Sequence, residues 1–214
     1  MMNQLKIQQF QATSRLMSKA ILVAGLSLSS TLTLAMPQVG QPAPDFTVVD
    51  SQGKQHQLKD FAGKTLVLEW TNDQCPFVVK HYSGNMQALQ AEFTAKPDQV
   101  WLSVISSAPG KQGHVSAEKA DELTKTRNAK PTAVVFDETG AAGKAYDAKT
   151  TPHMYVIDKN GILQYMGGID SIPTAKVADI AKATPHFANA MRAVLVGQVV
   201  NPAVTKPYGC SVKY

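Results

Sequence analysis

An apolar strand that runs into a cysteine and a proline constrains this chain more than any other feature. Residues 65–70 (Thr-Leu-Val-Leu-Glu-Trp) form a nearly continuous apolar run, typical of a strand in the middle of a sheet. Pro76 favours the first position of a helix, which predicts that Cys75 is the N-cap residue. A sulfur there faces unpaired backbone N–H groups and the positive end of the helix dipole, which favour the reactive thiolate. The alternative is an inert buried cysteine.

An apolar segment over residues 20–35 precedes the rest of the chain and ends in a small-residue cleavage site at Ala35. It follows three basic residues and no acidic one, namely Lys6, Arg15 and Lys19. This pattern predicts a signal peptide over residues 1–35, with an uncleaved anchor as the alternative and Met17 as a second candidate start. Without those residues the net charge falls from +5 to about +2, and a net charge this small does not indicate binding to nucleic acid.

The remaining residues suffice for one domain, which we expect over residues 38–200, followed by a tail over residues 201–214. This part of the chain contains two cysteines, Cys75 and Cys210. An even count in an exported protein suggests pairing, and one pair in a chain of this size indicates either a redox pair or a single structural staple.

The order of apolar runs predicts an α/β sandwich. A hairpin over residues 45–58 precedes the 65–70 strand, and one amphipathic helix from Pro76 to just before Pro97 leads to a strand at 100–105. The later elements are a helix capped by Ser116 to about Asn128, a strand at 132–137, a short helix at 141–146, strands at 151–158 and 162–166 around an Asn-Gly turn, a helix at 185–196 and an extended tail. This order predicts a mixed sheet with the reactive loop at the carboxyl end of a central strand.

Three motifs resemble the thioredoxin-fold redoxins, the group that includes peroxiredoxins (AhpC/TSA-like proteins) and periplasmic thiol oxidoreductases. They are Trp70 running to Cys75-Pro76-Phe77-Val78, Thr151-Pro152 at the start of a strand, and Val39 through Phe46. The likeness covers about residues 38–195. Residues 80–82, 166–170 and 208–214 are similar to those of a bacterial branch of thioredoxin family proteins. The resemblance implies a thioredoxin-like three-layer sandwich, with a mixed central sheet, helices on both faces and an N-terminal β-hairpin.

The resemblance also implies that Pro152 is a cis proline packed beside the reactive sulfur, and that Thr151 offers backbone groups to a bound partner chain. The chain departs from two patterns of the family. Val78 stands where a CxxC motif has its second cysteine, and Asn72 stands where peroxiredoxins carry threonine. The arginine that steadies a peroxide in peroxiredoxins is not assigned, because the arginines after the predicted signal are Arg127 and Arg192 alone.

Cys75 can attack a disulfide or be oxidised to a sulfenic acid, and another thiol must then resolve the product. Cys210 is the internal candidate for that thiol, and the alternative is a structural disulfide that closes a long loop. In either case we expect the two sulfurs to meet. The tail must then fold over the carboxyl end of the central strand and bring Tyr208 close to the reactive loop and Pro152.

Other polar residues near these motifs are weaker candidates. Glu69 ends an apolar strand and is a candidate proton acceptor with a raised pKa, although alternation could turn it to solvent or to a lysine. Lys80 and His81 follow the cysteine at spacings that put neither on its helical face. His153 either approaches the sulfur or points away from it.

The sequence therefore predicts an exported, periplasmic thiol oxidoreductase or peroxidase, with thiol–disulfide exchange slightly favoured. The candidate catalytic residues are Cys75, Cys210, Glu69, Thr151 and Pro152. Expected partners are protein or small-molecule disulfides or peroxides and an external thiol reductant, with no nucleic acid, no membrane after signal cleavage and no cofactor. One alternative is a non-catalytic thioredoxin-like binding module. Another is a copper-delivery protein, for which the five histidines are scattered without ligand spacing.

Overall fold

The computed structural model describes residues 36–214, and the predicted signal peptide lies outside these residues. Seven of the strands form one sheet in the order β2-β1-β5-β4-β3-β7-β8, and the short strands β6 and β9 pair separately. The bounds are β1 Thr47–Asp50, β2 Gln55–Gln57, β3 Thr65–Trp70, β4 Gln99–Ile105, β5 Ala133–Phe136, β6 Thr150–Thr151, β7 His153–Ile157, β8 Leu163–Gly167 and β9 Cys210–Ser211.

The large sheet is mixed, as the sequence predicts. The parallel strands β3, β4 and β5 lie at its centre, β7 runs antiparallel beside β3, and β1 runs antiparallel beside β5. Every residue of β4 is buried, which agrees with its mostly apolar sequence. Trp70 pairs with His153, so the start of β7 lies beside the end of β3, where the reactive loop begins.

Helices cover both faces of this sheet. They are α1 Pro76–His81, α2 Asn85–Phe93, α3 Ala117–Thr126, α4 Ala141–Ala145 and α5 His186–Leu195, with 3-10 helices over Leu58–Phe61 and Val177–Lys182. The prediction of one helix from Pro76 to Pro97 is wrong. Helix α1 stops at His81, and Gly84 has a φ of 135°, which a residue inside a right-handed helix does not adopt.

Two apolar layers hold the helices to the sheet. Met86, Phe93, Trp101, Phe187 and Met191 pack on the α2 and α5 side. Phe46, Leu68, Trp70, Tyr146 and Tyr155 pack on the α4 side. Burying one such side chain contributes about 1.5–3 kcal/mol.

The tail, residues 201–214, crosses the sheet at the carboxyl end of β3. It first runs beside β8, where the N–H of Thr205 donates to the carbonyl of Met166. It then passes Thr151 as β9 and ends beside the segment that follows α4, where the Tyr214 hydroxyl donates to the carbonyl of Ala148. Within residues 36–214, every helix is too short or too polar to span a lipid bilayer.

Candidate active site

Cys75 lies at the junction that the sequence predicts. It is the N-cap residue of α1 and Pro76 occupies the first turn, so the predicted helix start is confirmed. The Cys75 side chain is 0 % exposed. Its thiol donates to the Thr151 carbonyl oxygen at 3.0 Å, which ties the start of α1 to β6.

The loop before Cys75 is fixed by side chains on both of its flanks. The Asn72 carboxamide accepts from the N–H of Gln74 at 2.9 Å and donates to the carbonyl of Gln112 at 3.2 Å. The guanidinium of Arg127 donates to the carbonyl of Asp73 at 3.0 Å. Asn72 and Arg127 therefore shape the loop, and neither side chain is hydrogen-bonded to the Cys75 sulfur in the described part of the chain.

Thr151 and Pro152 form the wall opposite Cys75, and their peptide bond is cis, as the resemblance implies. Thr151 pairs antiparallel with Cys210 and Thr150 pairs with Ser211. Gly209 makes this approach possible, because a Cβ there would lie 2.0 Å from the Thr151 carbonyl oxygen. The edge of β6 is therefore occupied by the protein's own tail.

The two cysteines are free thiols that lie side by side. Burial would raise the pKa of Cys75. Interactions of the ionised sulfur with the Cys210 thiol, with the Thr151 side chain and with the Val78 and Cys210 backbone outweigh burial and hold that pKa below its ordinary value. Burial, together with the hydrogen bond and the charge of Cys75, raises the pKa of Cys210 to about 11. Cys75 is thus the sulfur that ionises first, and Cys210 is the sulfur that donates.

A cluster of four polar side chains lies behind the tail, and we call it the Tyr208 cluster: Lys80, His81, Asp170 and Tyr208. The Lys80 ammonium lies 3.3 Å from an Asp170 carboxylate oxygen and 3.1 Å from both the Tyr208 hydroxyl and the Ile172 carbonyl oxygen. The Lys80 and His81 side chains are 0 % exposed. Tyr208 also packs edge-on against Phe77, the second residue of α1.

The hydrogen bonds of this cluster use the full capacity of the Tyr208 hydroxyl. The hydroxyl donates to Asp170 and lies 3.1 Å from both Lys80 and His81. Burial lowers the pKa of His81 to about 4, against the attraction of Asp170 and with the repulsion of Lys80, so the ring is neutral at pH 7. Asn85 lies 2.9 Å from Nδ1 of His81, which leaves Nε2 to carry the proton toward Tyr208.

Glu69 is the centre of a second buried group, the Glu69 cluster: Glu69, Tyr82, Gln90, Trp101 and Ser103. The carboxylate accepts from Tyr82, Trp101 and Ser103, each at 2.9 Å, and from Gln90 at 3.2 Å. Burial raises its pKa and outweighs these hydrogen bonds, so the predicted direction of the shift is confirmed. The two alternatives for Glu69, namely exposure to solvent and pairing with a lysine, are wrong.

The structure brings Cys75, Cys210, Thr151 and Pro152 together, whereas the hydrogen bonds of Glu69 go to Tyr82, α2 and β4 instead of to Cys75. His153 packs on Tyr155 and burial lowers the pKa of its ring to about 3. Sequence reasoning missed the burial of Lys80 and His81. Within residues 36–214 no group of three or more His, Cys, Asp or Glu side chains has the arrangement of a metal site.

Comparison with known proteins supports the resemblance that the motifs carry. The family model described as Redoxin matches residues 38–183. A mitochondrial thioredoxin-dependent peroxide reductase of Drosophila melanogaster is 28% identical over 184 residues, which cover 77% of this chain and 74% of that protein. The thiol-disulfide oxidoreductase ResA of Geobacillus kaustophilus is 28% identical over 123 residues, which cover 58% of this chain and 65% of ResA.

Solved structures show the same fold. A hypothetical protein from Sinorhizobium meliloti superposes with a TM-score of 0.68 at 22% identity, covering 84% of this chain and 96% of that one. An uncharacterized conserved protein from Geobacillus kaustophilus superposes with a TM-score of 0.67 at 26% identity, covering 84% and 93%. The thioredoxin-like α/β fold predicted from the sequence is confirmed.

Proposed function

The chain belongs to the redoxin family, whose members are thiol oxidoreductases and peroxidases, and from this premise we propose that it is a thiol–disulfide oxidoreductase in which Cys75 is the nucleophile and Cys210 the resolving cysteine. One observation carries the proposal: the two thiols adjoin, and their pKa values move in opposite directions. An attacking thiol needs a lowered pKa, and a waiting partner needs to stay protonated.

The reaction begins at the Cys75 thiolate. The thiolate attacks one sulfur of a partner disulfide, the partner's S–S bond breaks, and a mixed disulfide forms while the other partner sulfur leaves as a thiolate. The Cys210 thiolate then attacks the Cys75 sulfur, which forms the Cys75–Cys210 disulfide and releases the second partner thiolate. Two partner thiols are produced, and an external dithiol reductant returns the protein to its reduced form.

The environment of Cys210 changes in favour of the second step. Two causes of its raised pKa, the hydrogen bond and the charge of Cys75, depend on the Cys75 thiolate. Both disappear once that sulfur is in a mixed disulfide, while the nearby Lys213 ammonium continues to lower the pKa. Cys210 therefore ionises more easily at the step at which it must attack.

Thr151 and Pro152 would position the partner in this scheme, and Glu69 stays a candidate proton acceptor. The backbone of Thr151 pairs with an extended segment in the structure, which supports its assignment as the binding edge. The raised pKa of Glu69 suits a proton acceptor, but no direct hydrogen bond joins it to Cys75. A contribution of Glu69 would therefore show as a change in the pH profile of exchange.

Peroxide reduction is the second candidate function, because one curated relative is a peroxide reductase. Exchange is favoured because Asn72 and Arg127 are engaged with the loop backbone instead of the Cys75 sulfur. The test compares second-order rate constants for oxidation of reduced protein by hydrogen peroxide and by a small aromatic disulfide. A faster reaction with the disulfide supports exchange, and a rate constant orders of magnitude larger for peroxide would reverse the assignment.

Alkylation of Cys75 across pH tests the nucleophile itself. We expect a midpoint below the ordinary thiol value of about 8.5 in the wild type. We expect a higher midpoint in Cys210→Ala, because the Cys75 thiolate then loses the hydrogen bond from the Cys210 side chain. Cys75→Ser should abolish the oxidation of the protein by hydrogen peroxide and by the small disulfide. A wild-type midpoint at or above 8.5 would contradict the role of Cys75.

We also propose that the protein is exported to the periplasm. The support is the basic and apolar pattern of residues 1–35. Mass spectrometry of protein from the periplasmic fraction should give an N-terminus close to Met36. An intact N-terminal segment in protein recovered from the cytoplasm would contradict export.

A further inference from the structure

The reactive sulfur is sealed in the reduced protein, although the proposed function requires a partner to reach it. Cys75 is 0 % exposed and Thr151 is 2 % exposed. Part of the cover is the tail, because Gly209 passes over Thr151 and Cys210 occupies the backbone positions of the β6 edge. A partner strand and β9 cannot pair with the same edge of β6 at the same time.

The tail is held at this edge by more than β6. The β6 and β9 pairing involves two residue pairs, Thr150 with Ser211 and Thr151 with Cys210. One residue before Gly209, the Tyr208 hydroxyl inserts between Lys80, His81 and Asp170. Because a single residue separates Tyr208 from Cys210, fixing the hydroxyl also fixes the thiol.

Three side chains, Lys80, His81 and Asp170, form the socket around the Tyr208 hydroxyl, and their hydrogen-bonding groups match those of a hydroxyl. Asp170 supplies an acceptor, Lys80 and His81 supply donors, and these three side chains are buried. A hydroxyl is one donor and two acceptors, so it satisfies all three groups at once. An apolar group in its place would leave Nε2 of His81 without its hydrogen-bond partner and would remove one hydrogen bond each from Lys80 and Asp170, which is unfavourable.

We propose that Tyr208 is a positioning residue that, through Lys80, His81 and Asp170, holds Cys210 on the β6 edge as an internal substitute for a partner strand. The tail then alternates between two states. In the docked state Cys210 faces Cys75 and can resolve it, and in the released state the β6 edge and Cys75 are open to an extended polypeptide that carries a disulfide. Only the released state in this inference rests on the proposed function.

Tyr208→Phe tests the proposal, with Tyr214→Phe as the matched control, because Tyr214 lies in the same tail and its hydroxyl donates to the Ala148 carbonyl. The first measurement is the equilibrium constant of the Cys75–Cys210 disulfide against glutathione. We expect about a tenfold decrease in Tyr208→Phe, because buried polar groups lose their partner when the tail is docked. Tyr214→Phe should stay within about twofold of the wild type.

The second measurement is the rate of Cys75 alkylation in a Cys210→Ser background. Tyr208→Phe should increase this rate, because the released state becomes more populated, while the global unfolding midpoint stays close to that of the parent. Asp170→Asn, which weakens the same socket from the domain side, should shift both measurements in the same direction.

Unchanged disulfide equilibrium and unchanged alkylation in Tyr208→Phe would overturn the proposal. So would a loss of free energy of unfolding as large as the free-energy equivalent of the change in the disulfide equilibrium constant, because Tyr208 would then act as a core residue. A wild-type protein that forms the internal disulfide but reduces neither disulfides nor peroxide would remove the proposed function and leave the positioning role of Tyr208 intact.

Discussion

Two buried polar clusters lie near the two helices that follow Cys75, and they draw their members from different parts of the chain. The Glu69 cluster draws all its members from β3, β4, α2 and Tyr82, and its carboxylate has four donors. The Tyr208 cluster draws Lys80 and His81 from α1 and Asp170 from the loop after β8, and takes its central hydroxyl from the tail.

This difference separates a fixed part of the domain from a removable one. The Glu69 cluster can open only if the sheet and α2 separate, because its members belong to the core. The Tyr208 cluster can open when a short terminal segment moves, which leaves the sheet intact. Similar chemistry therefore holds core elements together in one place and holds the tail that carries Cys210 in the other.

The largest expected effect is on the fixed cluster. Glu69→Ala should lower the free energy of unfolding by about 3–5 kcal/mol, because Trp101, Ser103 and their neighbours lose a buried acceptor and a cavity remains. Denaturant unfolding measures this change. Glu92→Ala is the control, because Glu92 pairs with Arg192 at the surface, and it should cost less than about 1 kcal/mol. A loss below 1 kcal/mol for Glu69→Ala would contradict the fixed role of the cluster.

The next effect is a difference in local stability between the two regions. The N–H of Val212, which donates to the Lys149 carbonyl, and the N–H of Thr205 should exchange with solvent about 100-fold faster than those of Leu68 and Leu102 in β3 and β4. Native-state hydrogen exchange makes this comparison. Equal protection would show that the tail opens only when the whole domain unfolds.

Gly209→Ala should affect the removable region alone. The added Cβ would crowd the Thr151 carbonyl, and Gly209 has a φ of 140°, so docking becomes unfavourable. We expect the Cys75–Cys210 disulfide equilibrium constant to fall by about tenfold. The control is Gly197→Ala, whose φ is 69° and whose Cβ would meet no atom within 4 Å. Equal behaviour of the two variants would contradict the importance of the close approach.

The smallest effect is a pH dependence of the fixed cluster. Burial raises the pKa of Glu69 above its ordinary 4.5, so the folded state binds more protons than the unfolded state. The stability that the protonated carboxyl contributes is complete below pH 4.5 and is lost as pH rises through the folded pKa. Glu69→Gln should remove this decrease, measured as the free energy of unfolding against pH.

The carboxyl of Glu92 should contribute a pH dependence of the opposite sign to the free energy of unfolding, and Glu92→Gln should remove it. Its hydrogen bond to Arg192 lowers the pKa of Glu92, so its contribution is present above 4.5 and is lost as pH falls through the folded pKa. Parallel pH profiles for Glu69→Gln and the wild type would contradict the raised pKa of Glu69.

The predictions from sequence succeed where the signal is local. Pro76 marks the start of α1, the Ser116 hydroxyl accepts from the N–H of Lys119 at the start of α3, and the apolar runs mark β3 and β4. Each signal lies within a few residues of the element it specifies, so neighbouring residues suffice to find it.

The Tyr208 cluster could not be found this way. Periodicity treats Lys80 and His81 as surface residues, because charged and polar side chains usually face solvent. What makes their burial favourable lies far along the chain: Asp170 is 90 positions from Lys80, and Tyr208 is 128 positions from it. The two cysteines alone indicated that the tail returns to the reactive loop, and they gave no sign of what holds it there.

The complete burial of Cys75 in the docked state has a kinetic consequence. A sulfur that reacts only after the tail lifts has a ceiling on its rate, set by the opening of the tail instead of by the reagent. Oxidants of very different intrinsic reactivity should therefore converge on one limiting rate at high concentration. Such a ceiling would also shield the sulfur from successive encounters with strong oxidants, which lead to irreversible sulfinic and sulfonic acids.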